Sequence, residues 1–403
     1  MSAPAISVPQ ANPGAGYRTL AAEIDAAVAR VLQSGWYILG REVRAFEAEF
    51  AAWLGATSAV GCGNGTDALA LALRSLGVGP GTSVVTVSHT AVATVAAIEM
   101  VGATPLLIDI EPDQYTMDPA ELAEVLAHPP ASLPPIRAVI PVHLYGQPAA
   151  LPPIMENCRR HGVAVIEDCA QAHGATYKGR PVGSLGDAGA FSFCQDKIMT
   201  TGGEGGMLTI NDETAWERAV SFRDHGTRHD ALGSERDSRG RFQWVHDSFG
   251  TNWRLTEMQS AIGRAQLRKL PEWVAARRRN AAILRGRLEG CPGLRVTAPP
   301  DEIGHAYYKY YVFVQHEGLR AGYDRDRILA AINAEGVPCF SGICSEIYLE
   351  KAFAREWRPQ TRRAVARELG ETSLMFQVHP TLSEQDMQDT CEAVEKVMSV
   401  AVR

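Results

Sequence analysis

The chain has no two cysteines in a C-x-x-C spacing, no H-E-x-x-H or comparable cluster of histidines, no Gly-Lys pair, and only six lysines beside 33 arginines. Each shortage removes a class of protein. Eight cysteines scattered through mostly apolar surroundings read as free thiols of a reducing compartment, not as a disulfide framework. With no ligand spacing among the histidines, no metal is expected. A Walker loop needs the missing Gly-Lys pair, so a P-loop nucleotide site is excluded. No apolar run reaches about 18 residues, and the opening MSAPAISVPQANPG has neither the charged start nor the apolar middle of a signal peptide. A cytoplasmic protein without a membrane span is expected. The 46 acidic and 39 basic side chains give a net charge of -7 with no basic block, which argues against nucleic acid as a partner.

What is present is ordinary globular material: 403 residues, 46% of them hydrophobic, enough for two or three domains of roughly 150 residues. From about Thr19 to Leu54 apolar residues recur at helical spacing on both sides of the aromatic turn Gly35-Trp-Tyr-Ile-Leu-Gly40. Between Thr66 and Ile210, helical stretches (66–76, 90–101, 118–127, 151–161) alternate with β-branched runs near 84–87, 105–110, 136–142 and 163–167. That alternation predicts βα units and a mostly parallel sheet, with functional loops at the strands' C-terminal ends. The runs 188–193 and 207–210 leave no room for a helix between them, so the sheet is expected to be mixed. A helix over 212–225, a long loop over 226–252 and one or two long helices over 254–290 follow. The aromatic run 305–313, a helix over 324–334 and a last helix from about Ser383 predict a smaller C-terminal α+β domain. The division expected is 1–260 for the large domain and 261–403 for the small one, with the N-terminal helices free to pack on the latter.

Three places carry chemistry. Gly63-Asn-Gly65-Thr66-Asp67 precedes an apolar helix, so a glycine-rich turn delivers backbone N–H groups and a hydroxyl to a helix N-terminus, where phosphate binds. The plainer use of Thr66 or Asp67 is to cap that helix. The strand Val163-Ala-Val-Ile-Glu167-Asp168 ends in carboxylates where open α/β sheets bind ligands, although Asp168 in isolation reads equally as a helix cap. Lys197 follows Phe191-Ser192-Phe193 and precedes Gly202-Gly-Glu-Gly-Gly206. In a dry pocket it is an amine nucleophile; on a loop it is an ordinary exposed lysine. Together, a phosphate cradle, a carboxylate and a lysine are what pyridoxal phosphate requires: an anchor, a partner for the pyridine nitrogen and an amine for the aldehyde.

The chain resembles the DegT/DnrJ/EryC1/StrS sugar aminotransferases. Seven blocks in order carry the likeness, among them Gly63-Asn-Gly-Thr-Asp-Ala-Leu, Pro141-Val-His-Leu-Tyr-Gly-Gln, Glu167-Asp-Cys-Ala-Gln-Ala-His-Gly and Gly250-Thr-Asn-Trp-Arg-Leu-Thr-Glu. The resemblance implies the type I fold of pyridoxal-phosphate transferases. It implies a Schiff base on Lys197, Asp168 on the pyridine nitrogen and Gln171 near the phenolic oxygen. Gly65, Thr66, Asp67 and Ser192 would line the phosphate, and Asn252 would reach the phosphate of the neighbouring subunit in a homodimer with shared sites. The plainer use of Asn252 is to cap the helix starting near Leu255.

Arg254 would meet a substrate carboxylate. Many members place an aromatic ring where Ala91 stands, so stacking on the cofactor would fall to His89, to another residue or to none; His89 also reads as a satisfied loop histidine. Tyr311 is carried as a substrate residue, the tyrosines at 307, 308, 310 and 311 either stacking on a base or building an alternating strand. The activity implied is transfer of an amino group, with L-glutamate as donor, to a nucleotide-linked keto sugar, with pyridoxamine phosphate as the cofactor's other form. The alternatives are a sugar dehydratase, whose members carry His at the lysine position, and a non-catalytic regulatory relative.

Overall fold

Short apolar strands, buried on both faces, build a seven-stranded sheet at the centre of the computed structural model, which describes residues 7–10, 13–228, 245–353 and 357–403. The strands are β1 (Ser58–Cys62), β2 (Ser83–Val87), β3 (Thr104–Ile108), β4 (Ile136–Ile140), β5 (Ala164–Asp168), β8 (Ala188–Ser192) and β9 (Gly206–Ile210). Their order is β1-β9-β8-β5-β4-β2-β3, and β9 alone runs against the rest, pairing antiparallel with both neighbours. The mixed sheet arises as the spacing predicts: the stretch between β8 and β9 forms no helix, and the chain returns antiparallel. β1 has no counterpart among the runs read from the sequence: Ser58-Ala-Val-Gly-Cys62 is short and contains a glycine.

Strand alternation sorts the core into two layers. Val85, Val139, Val165 and Phe191 face one layer with the helices Arg41–Leu54 and Leu151–His161. Val84, Ile140, Ile166 and Leu208 face the other, under the helices Gly65–Ser75 and Glu213–Arg223. Such double coverage is why these strands read as continuous apolar runs. A small ladder of β6 (Thr176–Tyr177), β7 (Arg180–Pro181) and β11 (Ile303–Gly304) lies to one side.

The C-terminal part forms a second sheet, β10 (Leu294–Val296), β12 (Tyr310–Val314), β14 (Ser373–Phe376) and β13 (Cys339–Phe340), with the helices Arg325–Ala334 and Glu384–Ala401. β12 alternates: Tyr310, Val312 and Val314 enter the small-sheet core, while Tyr311 and Phe313 enter the core of the large sheet. One helix, Glu257–Leu288, spans both parts, packing Leu267, Leu270 and Val274 on the large core and Ala281, Leu284 and Leu288 on the small one. Position 260 therefore falls inside a helix. Of the N-terminal helices, Ala21–Ser34 packs its Ile24 and Val31 on the long helix at Ala261 and Ala265, and Arg41–Leu54 packs on the large sheet. The stretch 229–244 of the expected long loop lies outside the described residues. No helix among those residues is long and apolar enough to cross a membrane.

Candidate active site

A cavity of about 560 Å³ opens at the C-terminal ends of β1, β2, β4, β5 and β8. Its wall includes Gly65, Thr66, Asp67, Asp168, Gln171, Ser192 and Lys197, seven of the residues singled out above, together with Ala91. Strand order places it there: β3 and β4 leave β2 on opposite sides, and the crevice at such a reversal is where open α/β sheets take ligands.

At one end of the cavity the helix Gly65–Ser75 begins. Its cap is Asn64, whose Oδ1 accepts from Asp67 N at 2.9 Å, while Nδ2 donates to Asp67 Oδ2 at 3.0 Å. Thr66 is thus not the cap, and its hydroxyl has no partner among the described residues. The backbone N–H groups of Gly65 and Thr66 have no partner among the described residues. Gly65 is needed for contact: a Cβ there would lie 2.7 Å from Ser192 Cβ. Burial, with Glu204 nearby adding to it, pushes the Asp67 carboxyl up to about 6.

At the other end Asp168 is nearly fully buried at the tip of β5. Oδ2 accepts from Thr94 Oγ1 at 2.9 Å and Oδ1 from Ala170 N at 3.1 Å; burial raises its pKa above the ordinary carboxylate value. Thr94 Oγ1 lies 2.8 Å from Thr90 Oγ1, so a hydroxyl pair one helical turn apart sets the direction of the carboxylate. No local pattern marks Thr94 as a partner of a residue 74 positions away. The neighbouring Glu167 does different work. Its carboxylate, wholly buried, accepts from the N–H groups of Gly183, Leu185 and Gly186 and meets His143 Nε2 at 3.0 Å. Since His143 Nδ1 accepts from Ala149 N at 3.0 Å, Nε2 carries the proton. His143, Glu167 and Cys169 come within metal-ligating distance of one another, yet these bonds already occupy the imidazole and the carboxylate.

Gln171 Oε1 accepts from Tyr145 N at 2.9 Å, which leaves its amide NH₂ for the cavity. Lys197 Nζ, with a 17% exposed side chain, lies 4.0 Å from Asp196 Oδ1 and 5.2 Å from the centre of the Tyr308 ring. Tyr308, in turn, donates its hydroxyl to Asp196 Oδ2.

Four expected residues stand outside the cavity wall. His89 is turned into the core with Nε2 3.3 Å from Tyr311 Oη, and burial pushes its pKa down to about 3, so the ring is neutral. Tyr311 packs edge-on against Tyr145 with ring centres 4.6 Å apart. Both are drawn in by the apolar layer that β12 shares with the large sheet. Asn252 is exposed and accepts from Arg254 Nε at 2.7 Å, and Arg254 Nη1 donates to Asp224 Oδ1 at 3.0 Å. Asn252 does not cap the long helix; Thr256 does, in a capping box with Gln259. His143 is the one ring in the cavity wall among the described residues.

The profile of the DegT/DnrJ/EryC1/StrS aminotransferase family matches residues 18–395. The chain belongs to that family. Its cofactor is pyridoxal phosphate. Among family members, a dTDP-3-amino-3,4,6-trideoxy-alpha-D-glucose transaminase of Streptomyces venezuelae is 36% identical over 96% of both chains. A UDP-N-acetyl-3-dehydro-alpha-D-glucosamine 3-aminotransferase of Acidithiobacillus ferrooxidans is 35% identical over 97% of this chain and 98% of its own. An aminotransferase from Psychrobacter cryohalolentis, known by X-ray structure, superposes with a TM-score of 0.88 at 44% identity, covering 93% of this chain and 96% of its own. The DegT/DnrJ/EryC1/StrS relatives thus transfer nitrogen to sugars, and this chain is a sugar aminotransferase dependent on pyridoxal phosphate. The dehydratase and regulatory alternatives are not favoured.

Proposed function

We infer that the enzyme moves the amino group of L-glutamate onto a keto sugar carried on a nucleoside diphosphate, in the cytoplasm, as a homodimer with shared active sites. The observation that carries this reading is the meeting, in one cavity, of two unpartnered N–H groups at a helix start, a buried carboxylate and a lysine. The nucleotide is supported by the relatives' dTDP and UDP sugars, and the reducing compartment by eight free cysteines. A dimer is supported by the exposed Asn252 and by Trp36, Tyr37 and Phe249, which are 64%, 45% and 99% exposed.

Bound pyridoxal phosphate supplies an electron sink for the carbon that gains or loses nitrogen. The protein's own part follows from its geometry. Gly65 N–H, Thr66 N–H and hydroxyl, and Ser192 hold the phosphate at a helix N-terminus, where the aligned peptide dipoles favour an anion. Asp67, capped by Asn64, supports that end. Asp168, its orientation set by Thr94, would hold a proton on the ring nitrogen. Gln171 presents its amide to the ring oxygen. Lys197 Nζ is the amine that would hold the cofactor at its aldehyde carbon, and as a free amine it would take and return a proton at close range, a general acid/base task. Asn252, braced by Arg254, would reach the phosphate in the partner's site.

Borohydride reduction of the cofactor-loaded enzyme followed by peptide mapping tests the centre of this reading. Label is expected on the peptide containing Lys197; label on Lys178 or Lys309 overturns it. Assay of dTDP- and UDP-linked keto sugars with glutamate then tests the substrate class.

A further inference from the structure

The Lys197 loop turns tightly. Lys197 N–H donates to Cys194 O at 3.0 Å, which closes the four-residue turn Cys194-Gln-Asp-Lys197 and sets Asp196 and Lys197 side by side. Behind the turn lies a second cavity of about 80 Å³, walled in part by Asp196, Lys197 and Trp273. Lys197 lines both cavities, whereas Asp196 lines only the small one. An amine on this stem therefore has two destinations, the large cavity and the Asp196 side.

Lys197 Nζ lies 4.0 Å from Asp196 Oδ1, its one ion pair among the described residues. The carboxylate is itself held: Tyr308 donates its hydroxyl to Oδ2, which leaves Oδ1 for the lysine. The Tyr308 ring is shared by two lysines, with Lys197 Nζ 5.2 Å and Lys309 Nζ 4.7 Å from its centre. Lys309 is buried and donates to Gln377 Oε1 at 2.7 Å. The other titratable groups that feel the charge of Lys197 offer its ammonium no resting place. His173 is a neutral ring, pushed by burial down to about 3, and Lys309 is a repelling cation. Asp168 is engaged by Thr94 and Ala170 and is kept for the cofactor's ring nitrogen. Burial works to raise the Asp196 carboxyl, but the charge of Lys197, the Tyr308 hydroxyl and the charge of Lys309 together hold it below the ordinary value. Asp196 is thus an anion at neutral pH.

We propose that Asp196 is a positioning residue for Lys197: fixed by Tyr308, it holds the lysine as an ammonium on the small-cavity side whenever the amine is not bonded to the cofactor. The assignment rests on the reading of Lys197 as the cofactor's amine. In each half-reaction Nζ takes up one proton and later gives up one. Between the two it is an ammonium, and Asp196 stabilises that charge without itself gaining or losing a proton. Two consequences of opposite sign follow. Without the carboxylate more of the amine is unprotonated, so it reacts faster as a nucleophile; the ammonium is unsupported, so turnover slows. A residue that only kept the loop in shape would slow both. The Asp196 side chain is half-exposed, so solvent screens the pair and the effects are severalfold.

Trace acylation of the cofactor-free full chain at neutral pH, read by peptide mapping with the exposed Lys269 as internal standard, tests the first consequence. The rate at Lys197 is expected to rise at least threefold in Asp196→Asn, with an unchanged melting midpoint. Tyr308→Phe keeps the ring and releases the carboxylate; a rise of at least twofold is expected, and this variant decides the matter where Asp196→Asn fails to fold. In the loaded enzyme, Asp196→Asn is expected to lower kcat at least threefold while KM for glutamate and for the keto sugar stay within twofold of wild type. Lys197 that reacts no faster in the folded variants, or an unchanged kcat, overturns the proposal. The reading of Lys197 as the cofactor's amine fails separately, on borohydride label that maps to another lysine.

Discussion

Asp168 and Lys197 both line one cavity, and single-residue changes there separate binding from chemistry. Asp168→Asn keeps the volume and one accepting oxygen where the carboxylate offers Oδ2 to Thr94 and Oδ1 to Ala170, and it removes the charge proposed to hold a proton on the ring nitrogen. Loss of such a preorganised group costs on the order of 10²–10³ in turnover. Cofactor uptake, followed by visible absorbance, is expected to survive in part. Near-normal turnover would show that this carboxylate has another task. Asp168 and Glu167 also show what a residue-level reading can see. Both stand at one strand end, and only the surroundings tell them apart: Glu167 is saturated by three backbone N–H groups and His143, whereas Asp168 keeps a face toward the cavity.

Elements are tied together by buried carboxylates in the same way. Glu257, at the start of the long helix, accepts from the backbone N–H groups of Gly40 at 2.8 Å, Glu42 at 2.9 Å and Val43 at 2.9 Å, and so caps the helix Arg41–Leu54 from 214 or more positions away. Glu257→Gln replaces one accepting oxygen with a donor and strands at least one N–H, a loss of about 1–3 kcal/mol. The expected result is a lower urea midpoint with an unchanged slope; an unshifted midpoint refutes the capping role. The aromatic turn Gly35–Gly40 is legible from composition as a turn between two helices. Its anchoring is not, because the acceptor comes from a distant part of the chain. Gly40 is held to glycine by the same contact: a Cβ would lie 2.5 Å from Trp36 Cδ1 and 2.7 Å from Glu257 Oε2.

The whole molecule buries several histidines as neutral rings. Burial pushes His89, His173 and His305 down to about 3 and His379 to about 4. In the unfolded chain each titrates near 6.5. Below that value the unfolded state binds protons that the folded state refuses, so stability falls as pH drops from about 6.5 toward about 4, by about 1.4 kcal/mol per pH unit for each such histidine. Denaturant midpoints across that window are expected to decline, and His173→Leu to decline less steeply by one proton's share. A flat profile contradicts the burial of neutral rings. Assembly is tested by mixing. If the site is shared as proposed, Lys197→Ala is expected to inactivate a chain's own site and Asn252→Asp its partner's, and equal mixtures of the two inactive variants to regain about a quarter of native sites in a two-fold dimer. No recovery after complete subunit exchange refutes sharing.

By itself the sequence determined the alternation of strands and helices from Thr66 to Ile210 and the reversal at β9. It also determined the three motifs whose residues line one cavity, since each depends on periodicity or on neighbours a few positions away. Tertiary structure decided what depends on distant partners. Asn64 caps the first helix of the site and leaves Thr66 free, and Thr94 turns to Asp168. β12 alternates between two cores and pulls Tyr311 and His89 away from the cavity wall. Arg277 and Lys309, from a helix and a loop far apart in sequence, become neighbouring buried cations behind Lys197. Local spacing specifies which backbone each segment adopts, but burial is a property of the packed whole. Only packing determines which polar group keeps a partner, which keeps a charge and which is left facing a cavity.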